Sequence, residues 1–480
     1  MAVAFLLNGT LVHEAHTAPS TTVLDYLRGT QRLTGTKEGC AEGDCGACTI
    51  AVGRPAGQGE APGLRWQAAN ACLMLLSQLD GAAVTTVEGL SGGDTLHPVQ
   101  HALAEGDGTQ CGFCTPGIVM SLYVLQRNAA AAGTAPLPDA EIHEALAGNL
   151  CRCTGYRPIV EAARALVAQP PADPPPQREP APPAPSPRHA AGGELHLFPQ
   201  DLGELLALRA AYPGAVLLAG ATDLGLIPAK RRKGFPLAIS TSRVAELQRI
   251  GQQEDALVLG AAVTYGQALG AVEAAFPAFG ALIRRIGSRQ IRGLGTFGGN
   301  LGTASPVGDT LPLLLALDAQ VELAGPAGRR RLAVDDFLTG YRTTALAGDE
   351  VIVALRLPLL VPGEQLFAWK ISRRFDQDIS IVLGAFRLRL ADGRLATLAA
   401  AFGGMAERAK RARTLETALV GRPWAGAAPQ GIEAALDTDF SPLSDHRSGA
   451  AYRRAAAANL VRRLHLATTR PDLPLSLEAL

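Results

Sequence analysis

The segment GCAEGDCGACT, residues 39–49, places three cysteines at the spacing C-x4-C-x2-C, which is typical of the plant-type loop around a 2Fe-2S cluster. A lone Cys72 follows in the segment NACLM and supplies a fourth thiolate. Four thiolates must converge on two irons, so the loop has to curl inward and aim backbone N–H groups at the sulfurs. The glycines of the segment permit that curl. The spacing therefore predicts a 2Fe-2S cluster held by Cys40, Cys45, Cys48 and Cys72.

A second group of cysteines lies in the segments QCGFCTPG, residues 110–117, and LCRCTGYRP, residues 150–158. Neighbours separated by one residue do not easily close a relaxed disulfide with each other. In both segments a cysteine pair is followed by Thr, by Pro or Gly, and by an apolar helical run, so each pair is expected at a helix N-terminus that favours an anionic iron-sulfur centre. Thr115 as N-cap and Pro116 as first helical residue predict one such helix. The second predicted cluster has the ligands Cys111, Cys114, Cys151 and Cys153.

All eight cysteines of the chain lie between Cys40 and Cys153. Structural zinc in one or both quartets is the main alternative, since all-cysteine zinc sites with C-x-x-C pairs are common. Reduced thiols without a role are a second alternative, but the grouping into two quartets favours the clusters. Disulfides are rare in the cytoplasm, which is the expected location of this chain.

Composition indicates an ordinary globular protein of 480 residues, 47% hydrophobic and 18% charged, which is enough for about three domains. Lys and Arg equal Asp and Glu at 44 each, so neither nucleic acid nor an anionic membrane is expected as the main partner. The longest apolar runs are shorter than the roughly 18 residues that span a bilayer. The start, MAVAFLLNGTLV, lacks the basic region of a signal peptide, and Asn8-Gly9 predicts a hairpin turn.

A proline-rich linker is predicted from Gln169 to Glu194, because proline at that density opposes helix and central strand and favours extended polyproline II. Two glycine-rich segments follow, LLAGATDLG at residues 217–225 and GLGTFGGNLGTASPVGD at residues 293–309. Such segments cradle phosphates with backbone N–H groups, although two surface turns would have the same composition.

The second glycine-rich segment contains a literal G-x-G-x-x-G at Gly293, Gly295 and Gly298. A Rossmann fingerprint must follow a strand and open directly into a helix. Here the preceding residues 284–292 are polar and basic, and the glycines and proline at positions 302, 306 and 308 are expected to break a helix at once. The residues therefore argue against a Rossmann loop and leave a phosphate-binding loop of another kind and a pair of surface turns equally open.

The motifs GCAEGDCGACT, QCGFCTPG and NLCRCTGYRP resemble the paired 2Fe-2S motifs of the molybdenum hydroxylases, the xanthine dehydrogenase and aldehyde oxidase family. The resemblance implies a multidomain α+β protein. Its expected parts are a β-grasp 2Fe-2S ferredoxin-like domain (1–89), a helical 2Fe-2S domain (90–168), the linker (169–194), an FAD-binding domain of the vanillyl-alcohol oxidase (PCMH) type (195–362) and a C-terminal α+β domain similar to the CO dehydrogenase flavoprotein C-terminal domain (363–480).

The resemblance also implies residues that contact FAD. The pyrophosphate would be held by Leu218, Gly220, Ala221, Thr222, Asp223 and Leu224. The remaining phosphate, the ribityl chain and the flavin edges would contact Thr296, Gly298, Gly299, Asn300, Thr303, Ser305 and Asp309.

In the C-terminal part, Lys370 resembles a flavin-contacting lysine, with a solvated strand end as its alternative. Asp376 and Asp378 lie in a loop expected near the flavin face. Many animal members have a stacking aromatic residue where this chain has Ile286, so the resemblance leaves the choice between NAD and oxygen as electron acceptor open. His97 and His101 are expected to have surface or capping roles rather than to bind metal.

The resemblance ends before any molybdopterin domain and implies the iron-sulfur and FAD subunit of a xanthine dehydrogenase. Electrons from a molybdenum centre in a large partner subunit would pass through two 2Fe-2S clusters to FAD and on to NAD+ as hypoxanthine and xanthine are oxidised to urate. No side chain of this chain is expected to act as a catalytic acid or base. Fold-level analogy implies a heterodimer that pairs into a heterotetramer of two small and two large subunits.

Three alternatives stay open. The chain could serve an aldehyde or other N-heterocycle hydroxylase, because the substrate pocket would lie in the partner. It could belong to an oxidase that uses oxygen. From another class, it could be a non-enzymatic electron carrier or a zinc-organised interaction module.

Overall fold

The computed structural model describes residues 2–55, 63–91, 95–134, 136–168, 181–473 and 475. Contacts divide the chain into two units. Unit 1 comprises Met1–Asp201, Gly214–Arg243 and Gly287–Gly295, and unit 2 comprises Leu202–Pro213, Val244–Ile286 and Thr296–Leu480. The predicted linker up to residue 180 lies outside the described residues.

The chain begins with the predicted hairpin. Asn8 and Gly9 have φ of 50° and 80°, which is the two-residue turn that suits the twist of paired strands. The sheet has the strand order β2-β1-β5-β3-β4, with β1 parallel to β5, and the short helix α1 continues as a wider turn over Tyr26–Thr30. The elements are β1 (Val3–Leu7), β2 (Thr10–Glu14), α1 (Val23–Asp25), β3 (Thr49–Pro55), β4 (Leu64–Asn70) and β5 (Ala83–Thr85).

Four helices follow: α2 (Pro98–Glu105), α3 (Thr115–Ala132), α4 (Asp139–Leu146) and α5 (Arg157–Ala168). Helix α3 buries the continuous run from Gly117 to Leu125 and ends at Gly133, whose φ of 63° is the left-handed conformation that closes many helices. Its apolar side chains share one core with Ala51 and Trp66 of the first sheet. His97 caps α2 by accepting a hydrogen bond from the N–H of Val99, which confirms its expected capping role.

The next segment builds a second sheet of unit 1, in the order β6-β7-β9-β8, in which β7 and β8 both run parallel to β9. The strand β6 lies inside the predicted linker, at its proline-free end, and forms an edge strand, where ladder hydrogen bonds are needed on one side only. The elements are β6 (Arg188–Ala191), β7 (Glu194–Leu197), α6 (Leu202–Ala211), β8 (Val216–Leu218), α7 (Leu226–Arg231) and β9 (Leu237–Ser240).

The following residues supply an antiparallel sheet of unit 2 with the order β10-β11-β16-β12-β13. Helix α10 belongs to unit 1 and the other elements of this stretch to unit 2. The elements are β10 (Ile250–Gln253), β11 (Ala256–Gly260), α8 (Tyr265–Ala275), α9 (Pro277–Arg284), α10 (Arg289–Arg292), α11 (Phe297–Thr303), α12 (Thr310–Ala316), β12 (Gln320–Gly325), β13 (Gly328–Ala333), α13 (Val334–Phe337), β14 (Leu338–Gly340), β15 (Thr343–Thr344) and β16 (Val351–Pro358).

The C-terminal part is a second antiparallel sheet of unit 2, in the order β17-β18-β19-β20, covered by helices. Phe386 and Phe402 meet edge to face at 5.5 Å between ring centroids, and Phe402 meets Phe440 in the same way, so aromatic rings fill the space between sheet and helices. The elements are β17 (Glu364–Ile371), β18 (Val382–Ala391), β19 (Arg394–Gly403), β20 (Lys410–Arg411), α14 (Arg413–Leu419), α15 (Ile432–Asp439) and α16 (Ala450–Thr469).

Within the described ranges, none of the helices combines the length and the apolar character that crossing a membrane requires.

Candidate cluster and flavin sites

The first cysteine quartet gathers at the end of unit 1's first sheet. Cys40 and Cys45 lie in the glycine-rich loop, Cys48 lies next to the start of β3, and Cys72 follows β4. Cys48 and Cys72 are 2% and 1% exposed, whereas Cys40 and Cys45 are partly exposed. Two thiols of the quartet are therefore buried in the core, and the glycine-rich loop supplies the two that are partly exposed.

Backbone N–H groups of the loop point at sulfur, as the sequence predicts. The N–H groups of Glu42, Asp44 and Cys45 lie 3.4, 3.3 and 3.3 Å from Cys40 Sγ, and the N–H of Cys40 lies 3.3 Å from Cys45 Sγ. A Cβ on Gly39 would lie 2.8 Å from Cys45 Sγ, so the close wrap requires glycine there.

The thiols of this quartet interact with one another. Hydrogen bonds from Cys45 and then Cys72 hold the pKa of Cys40 far below the usual thiol range, and the loop N–H groups assist. The same hydrogen bond raises the pKa of Cys45, and bonds to Cys40 and Cys48 raise the pKa of Cys72.

The second quartet lies at the surface of the helical region. Cys111 and Cys153 are exposed, and Cys114 and Cys151 are partly exposed. The Phe113 N–H and the Cys153 thiol lower the pKa of Cys111, and that contact raises the pKa of Cys153. Burial, with a contribution from Cys151, raises the pKa of Cys114 to about 12. The thiols thus approach as the pairs Cys111 with Cys153 and Cys114 with Cys151.

Both quartets therefore bring four thiols within reach of one another, as two irons sharing four thiolates require. In the first quartet Cys40 interacts with both Cys45 and Cys72, and Cys72 also interacts with Cys48, so the four thiols form one connected group. Among the side chains that the structure describes, no three His, Cys, Asp or Glu groups stand close enough together to hold a single metal ion.

The helix after Cys114 begins one residue earlier than predicted. Cys114 occupies the N-cap position of α3, which places Thr115 at the first and Pro116 at the second helical position. The prediction of Thr115 as N-cap is wrong because its hydroxyl lies 2.6 Å from that of Thr109 instead of capping the helix. The cysteine pair still lies at a helix N-terminus.

The first glycine-rich segment turns sharply after β8. Ala221 has a φ of 63°, and its carbonyl accepts a 2.6 Å hydrogen bond from the N–H of Gly225. A Cβ on Gly220 would lie 1.6 Å from the carbonyl oxygen of Leu294, so the two glycine-rich segments meet here backbone to backbone. Leu218 ends β8, and Gly220, Ala221, Thr222, Asp223 and Leu224 lie in the turn that follows it in unit 1.

This turn also lies against the first quartet. A Cβ on Gly225 would lie 2.2 Å from the carbonyl oxygen of Leu73, the residue after Cys72. Lys230 of α7 donates a 2.5 Å hydrogen bond to the carbonyl of Cys40 and forms a 3.1 Å ion pair with Glu42. The predicted pyrophosphate-binding turn and the first quartet are therefore neighbours within unit 1.

The second glycine-rich segment forms a short helix, contrary to the expectation that it would break at once. Helix α11 spans Phe297–Thr303 and includes Gly302, because Thr296 caps it by accepting from the N–H of Gly299 at 2.9 Å. It ends at Ala304, whose φ is 47°. The element before it is helix α10 rather than a strand, so the Rossmann pattern remains unfulfilled.

The remaining predicted flavin contacts lie in unit 2. Gly298 packs against the backbone of Ala261, where a Cβ would lie 2.5 Å from the carbonyl oxygen. Thr310 donates a 2.5 Å hydrogen bond to the side chain of Asn300. Thr296, Gly298, Gly299, Asn300, Thr303, Ser305 and Asp309 lie on or beside α11 and before α12.

Lys370 and Asp309 form a buried ion pair. Lys370 Nζ lies 2.7 Å from Asp309 Oδ2 and 3.0 Å from the carbonyl oxygen of Arg285, and Ser380 donates to Asp309 Oδ1 at 2.5 Å. The side chains of Lys370 and Asp309 are 1% and 9% exposed. The alternative of a solvated strand end is therefore wrong for Lys370.

The loop after β17 is held by its own side chains. Asp378 accepts hydrogen bonds from the N–H groups of Arg373 and Arg374 at 2.8 and 2.9 Å. The guanidinium of Arg285 lies 4.3 Å from the ring centroid of Phe375 and donates to its carbonyl. Asp376 is exposed in the same loop.

Sequence reasoning passed over residues 284–292 as merely polar and basic. Arg289 pairs with Glu141, and Arg292 pairs with Glu144 at 2.9 Å, so α10 is fastened to α4. Gln290 and Arg292 are buried. A buried polar residue is recognisable only once the fold brings its partners together; the charge pattern of a single segment carried no such signal.

Four family models match the chain. They are the 2Fe-2S iron-sulfur cluster binding domain (residues 5–77), the 2Fe-2S binding domain (86–164), the FAD binding domain in molybdopterin dehydrogenase (193–360) and the CO dehydrogenase flavoprotein C-terminal domain (367–468). The predicted α+β fold class and the cofactors, two 2Fe-2S clusters and FAD, are confirmed by these matches. The residue-level contacts and the domain boundaries stay predictions.

Curated relatives match over most of the chain. The xanthine dehydrogenase of Drosophila subobscura is 34% identical over 97% of this chain and 39% of the relative. The xanthine dehydrogenase/oxidase of Gallus gallus is 32% identical, and the aldehyde oxidase 2 of Cavia porcellus is 33% identical, each over 88% of this chain and 36% of the relative. The chain thus spans about two fifths of the length of the first of these relatives.

Solved structures match part of the chain. A carbon monoxide dehydrogenase from Hydrogenophaga pseudoflava has a TM-score of 0.53 and 29% identity, covering 56% of this chain and 94% of that one. The quinoline 2-oxidoreductase from Pseudomonas putida 86 has a TM-score of 0.52 and 27% identity, covering 57% of this chain and 95% of that one.

Proposed function

Because the chain belongs to the molybdenum hydroxylase family and has the two 2Fe-2S domains and the FAD domain of its electron-transfer part, we propose that it is the electron-transfer subunit of a molybdenum-containing xanthine dehydrogenase. In this proposal electrons from a partner's molybdenum centre pass through the second quartet's cluster, the first quartet's cluster and FAD to NAD+, while hypoxanthine and xanthine become urate. The clusters and FAD supply the redox chemistry when bound, and the protein supplies placement and tuning.

The positions of the two quartets support the proposed path of the electrons. The first quartet lies against the turn proposed to hold the FAD pyrophosphate, through the Leu73 and Gly225 backbones and through Lys230 on Cys40. The second quartet reaches the surface through Cys111 and Cys153. A surface cluster suits electron transfer from another protein, and a cluster beside the flavin-binding turn suits transfer to FAD.

Apolar side chains around the second quartet support docking of a molybdopterin-containing large subunit there. Phe113, Leu150 and Tyr156 are 49%, 40% and 38% exposed. Large apolar groups grouped on a surface mark interaction sites more often than isolated ones do. We propose a heterodimer through this face, paired into a heterotetramer of two small and two large subunits.

For FAD we propose the predicted contacts. The turn from Leu218 to Leu224 offers backbone N–H groups to the pyrophosphate, at a position where Gly220 leaves no room for a Cβ. Residues from Thr296 to Asp309 contact the rest of the cofactor, and Lys370 acts through its ion pair with Asp309. No side chain is proposed as a general acid or base.

The substrate follows the relatives that are named xanthine dehydrogenase, at 33–34% identity for the Drosophila proteins. A second candidate, an aldehyde or N-heterocycle hydroxylase, is supported by the likeness to aldehyde oxidase 2 and to quinoline 2-oxidoreductase. The eight free cysteines suit a reducing compartment, and we propose a cytoplasmic location.

The test is reconstitution of the chain with its molybdopterin-containing partner under anaerobic conditions. Xanthine with NAD+ is expected to give urate and NADH in equal amounts. Turnover of aldehydes or quinoline but not of xanthine would replace the substrate and keep the electron-transfer role. Turnover that requires oxygen and ignores NAD+ would replace the acceptor.

A further inference from the structure

Helix α10 brings one buried amide to the point where the two cysteine loops of unit 1 meet. Gln290 is 0% exposed. Its Nε2 lies 3.3 Å from Thr49 Oγ1, 3.2 Å from Ser121 Oγ and 3.3 Å from Asn149 Oδ1. A single NH2 group therefore lies among acceptors from β3, α3 and the loop before Cys151.

The same junction joins the two cysteine loops directly. The N–H of Leu150 donates to the carbonyl of Cys45 at 2.9 Å, and Asn149 Nδ2 donates to the carbonyl of Gly46 at 3.1 Å. A Cβ on Gly46 would lie 2.0 Å from the carbonyl oxygen of Gly148, so the loops touch backbone to backbone. Leu150 directly precedes Cys151, and Cys45 is itself a ligand of the first quartet.

Stability does not explain a glutamine at this position. Its Oε1 is buried and has no hydrogen-bond partner in the described part of the chain. Such an atom costs on the order of 1–3 kcal/mol. The neighbouring groups keep other partners, since Ser121 donates to Asn149 Oδ1 at 2.7 Å and Thr49 donates to the carbonyl of Gly46 at 2.7 Å.

Anchoring of α10 does not explain it either. Arg289 and Arg292 on the same helix pair with Glu141 and Glu144 of α4. These ion pairs hold α10 against the helical region whether or not position 290 has an amide. What remains to explain the glutamine is the position of its side-chain N–H groups, which lie beside Thr49, Ser121 and Asn149.

We propose that Gln290 is a positioning residue for electron transfer between the two clusters, an inference that rests on the proposed electron-transfer function. In this proposal the side-chain amide of Gln290 donates to Asn149 and fixes its orientation, so that Asn149 keeps its hydrogen bond to the carbonyl of Gly46. The neighbouring hydrogen bond from the N–H of Leu150 to the carbonyl of Cys45 is thereby kept as well. In the step concerned, one electron leaves the reduced cluster of the second quartet and reaches the oxidised cluster of the first. No covalent bond changes and no proton moves.

The experiment compares the wild-type chain with Gln290→Met, which keeps the side-chain length and removes both donors. Each protein, with its clusters and FAD, is photoreduced by deazaflavin without partner or NAD, and freeze-quench electron paramagnetic resonance follows the two cluster signals. The equilibration rate is expected to fall about tenfold in Gln290→Met, which corresponds to about 1.4 kcal/mol in the barrier. Iron, sulfide and FAD contents and the melting temperature are expected to stay at wild-type values or, for the melting temperature, to rise.

Gln252→Met is the matched control, because it makes the same substitution at an exposed glutamine of β10 in unit 2, and it is expected to keep the wild-type rate. If Gln290→Met does not fold, Gln290→Leu decides by the same rate. An unchanged rate in a folded variant, or loss of a cluster in both variants, would overturn the inference. Failure of the wild-type clusters to exchange electrons would instead contradict the proposed function.

Discussion

Cys48 and Cys72 of the first quartet are at most 2% exposed, whereas Cys111 and Cys153 of the second are open to solvent. Both quartets bring four thiols together, and both place glycines in left-handed conformation beside the ligands, at Gly46 and Gly112 among others. Their surroundings differ. The first is enclosed by the first sheet and by the turn around Gly225, and the second is bordered by exposed apolar side chains.

The difference in exposure between the two quartets suits two different roles in electron transfer. In the proposed order the cluster of the first quartet exchanges electrons with groups of this chain, and its potential depends on neighbours such as Lys230. A cluster at the surface can meet another protein, so its surroundings are shaped by docking. Two ligands of the first quartet, Cys48 and Cys72, are also part of the core, and their loss should affect the fold as well as the redox chemistry.

The largest expected effect separates the quartets by stability. Cys72→Ala should remove the first cluster and also lower the melting temperature, because metal binding and folding of the enclosed loop are coupled. Cys153→Ala should remove only the second cluster. Metal analysis is expected to fall from about four irons per chain to about two in either variant, two irons being one cluster's share. Equal melting temperatures would show that the enclosed quartet has no structural part, and zinc in place of iron would contradict both assignments.

The buried ion pair of unit 2 should matter for the flavin and not for either quartet. Asp309→Asn leaves Lys370 buried without its anion, which should lower the free energy of unfolding by about 3 kcal/mol. Urea unfolding measures it, with Glu433→Gln as the control at the exposed pair with Arg462, where less than about 1 kcal/mol is expected. The double variant Asp309→Asn with Lys370→Met should recover part of the loss.

The same pair tests the flavin assignment. Asp309→Asn combined with Thr222→Val should weaken FAD retention while both cluster signals persist. Flavin absorbance after gel filtration measures retention, and unchanged flavin content would remove these residues from the FAD contacts.

The open side of the second quartet should be the docking face. Leu150→Asp should weaken binding to the molybdopterin-containing partner by about 2 kcal/mol, or roughly 30-fold in Kd, because it places a charge in a desolvated apolar contact. Leu443→Asp is the control, since Leu443 is 80% exposed and lies in unit 2. The Kd is measured by calorimetric titration. If both variants weaken binding equally, or if neither weakens it, the interface lies elsewhere.

The smallest expected effect concerns tuning of the enclosed cluster. Lys230→Met removes a positive charge beside the Cys40 carbonyl and should lower the reduction potential of the first cluster only. Lys230 is 43% exposed and paired with Glu42, so solvent screens it and the shift should stay under about 60 mV, a tenfold change in a one-electron equilibrium. Lys233→Met is the control in a potentiometric titration. Equal shifts of both clusters would show a general charge effect.

Cysteine spacing was sufficient to predict the cluster chemistry, because ligands of a 2Fe-2S loop are close in sequence and their spacing is restricted by geometry. Asn8-Gly9 was sufficient for the hairpin for the same local reason. The pairing of Lys370 with Asp309 joins residues 61 positions apart, so the sequence marked each separately and could not show their contact. Gln290 was invisible for that reason too, since its partners lie on three other segments.

Local rules also failed where a competing partner intervened. Thr115 was expected to cap α3, but its hydroxyl meets Thr109. Gly302 was expected to break a helix, yet the cap at Thr296 and the short length of α11 tolerate it.

The most direct measurement is an anaerobic absorbance titration with NADH of the wild-type chain, Cys153→Ala and Cys72→Ala. In the wild-type chain the flavin and all iron-sulfur absorbance should bleach. In Cys153→Ala the flavin and the remaining cluster should still bleach, because the first quartet lies between NADH and the lost cluster. In Cys72→Ala the flavin should bleach at once and the remaining cluster only slowly. Rapid reduction of the second cluster in Cys72→Ala would contradict the proposed order of electron transfer. If the wild-type chain has the absorbance of its cofactors and NADH does not bleach it, the assignment of NAD as the acceptor is wrong.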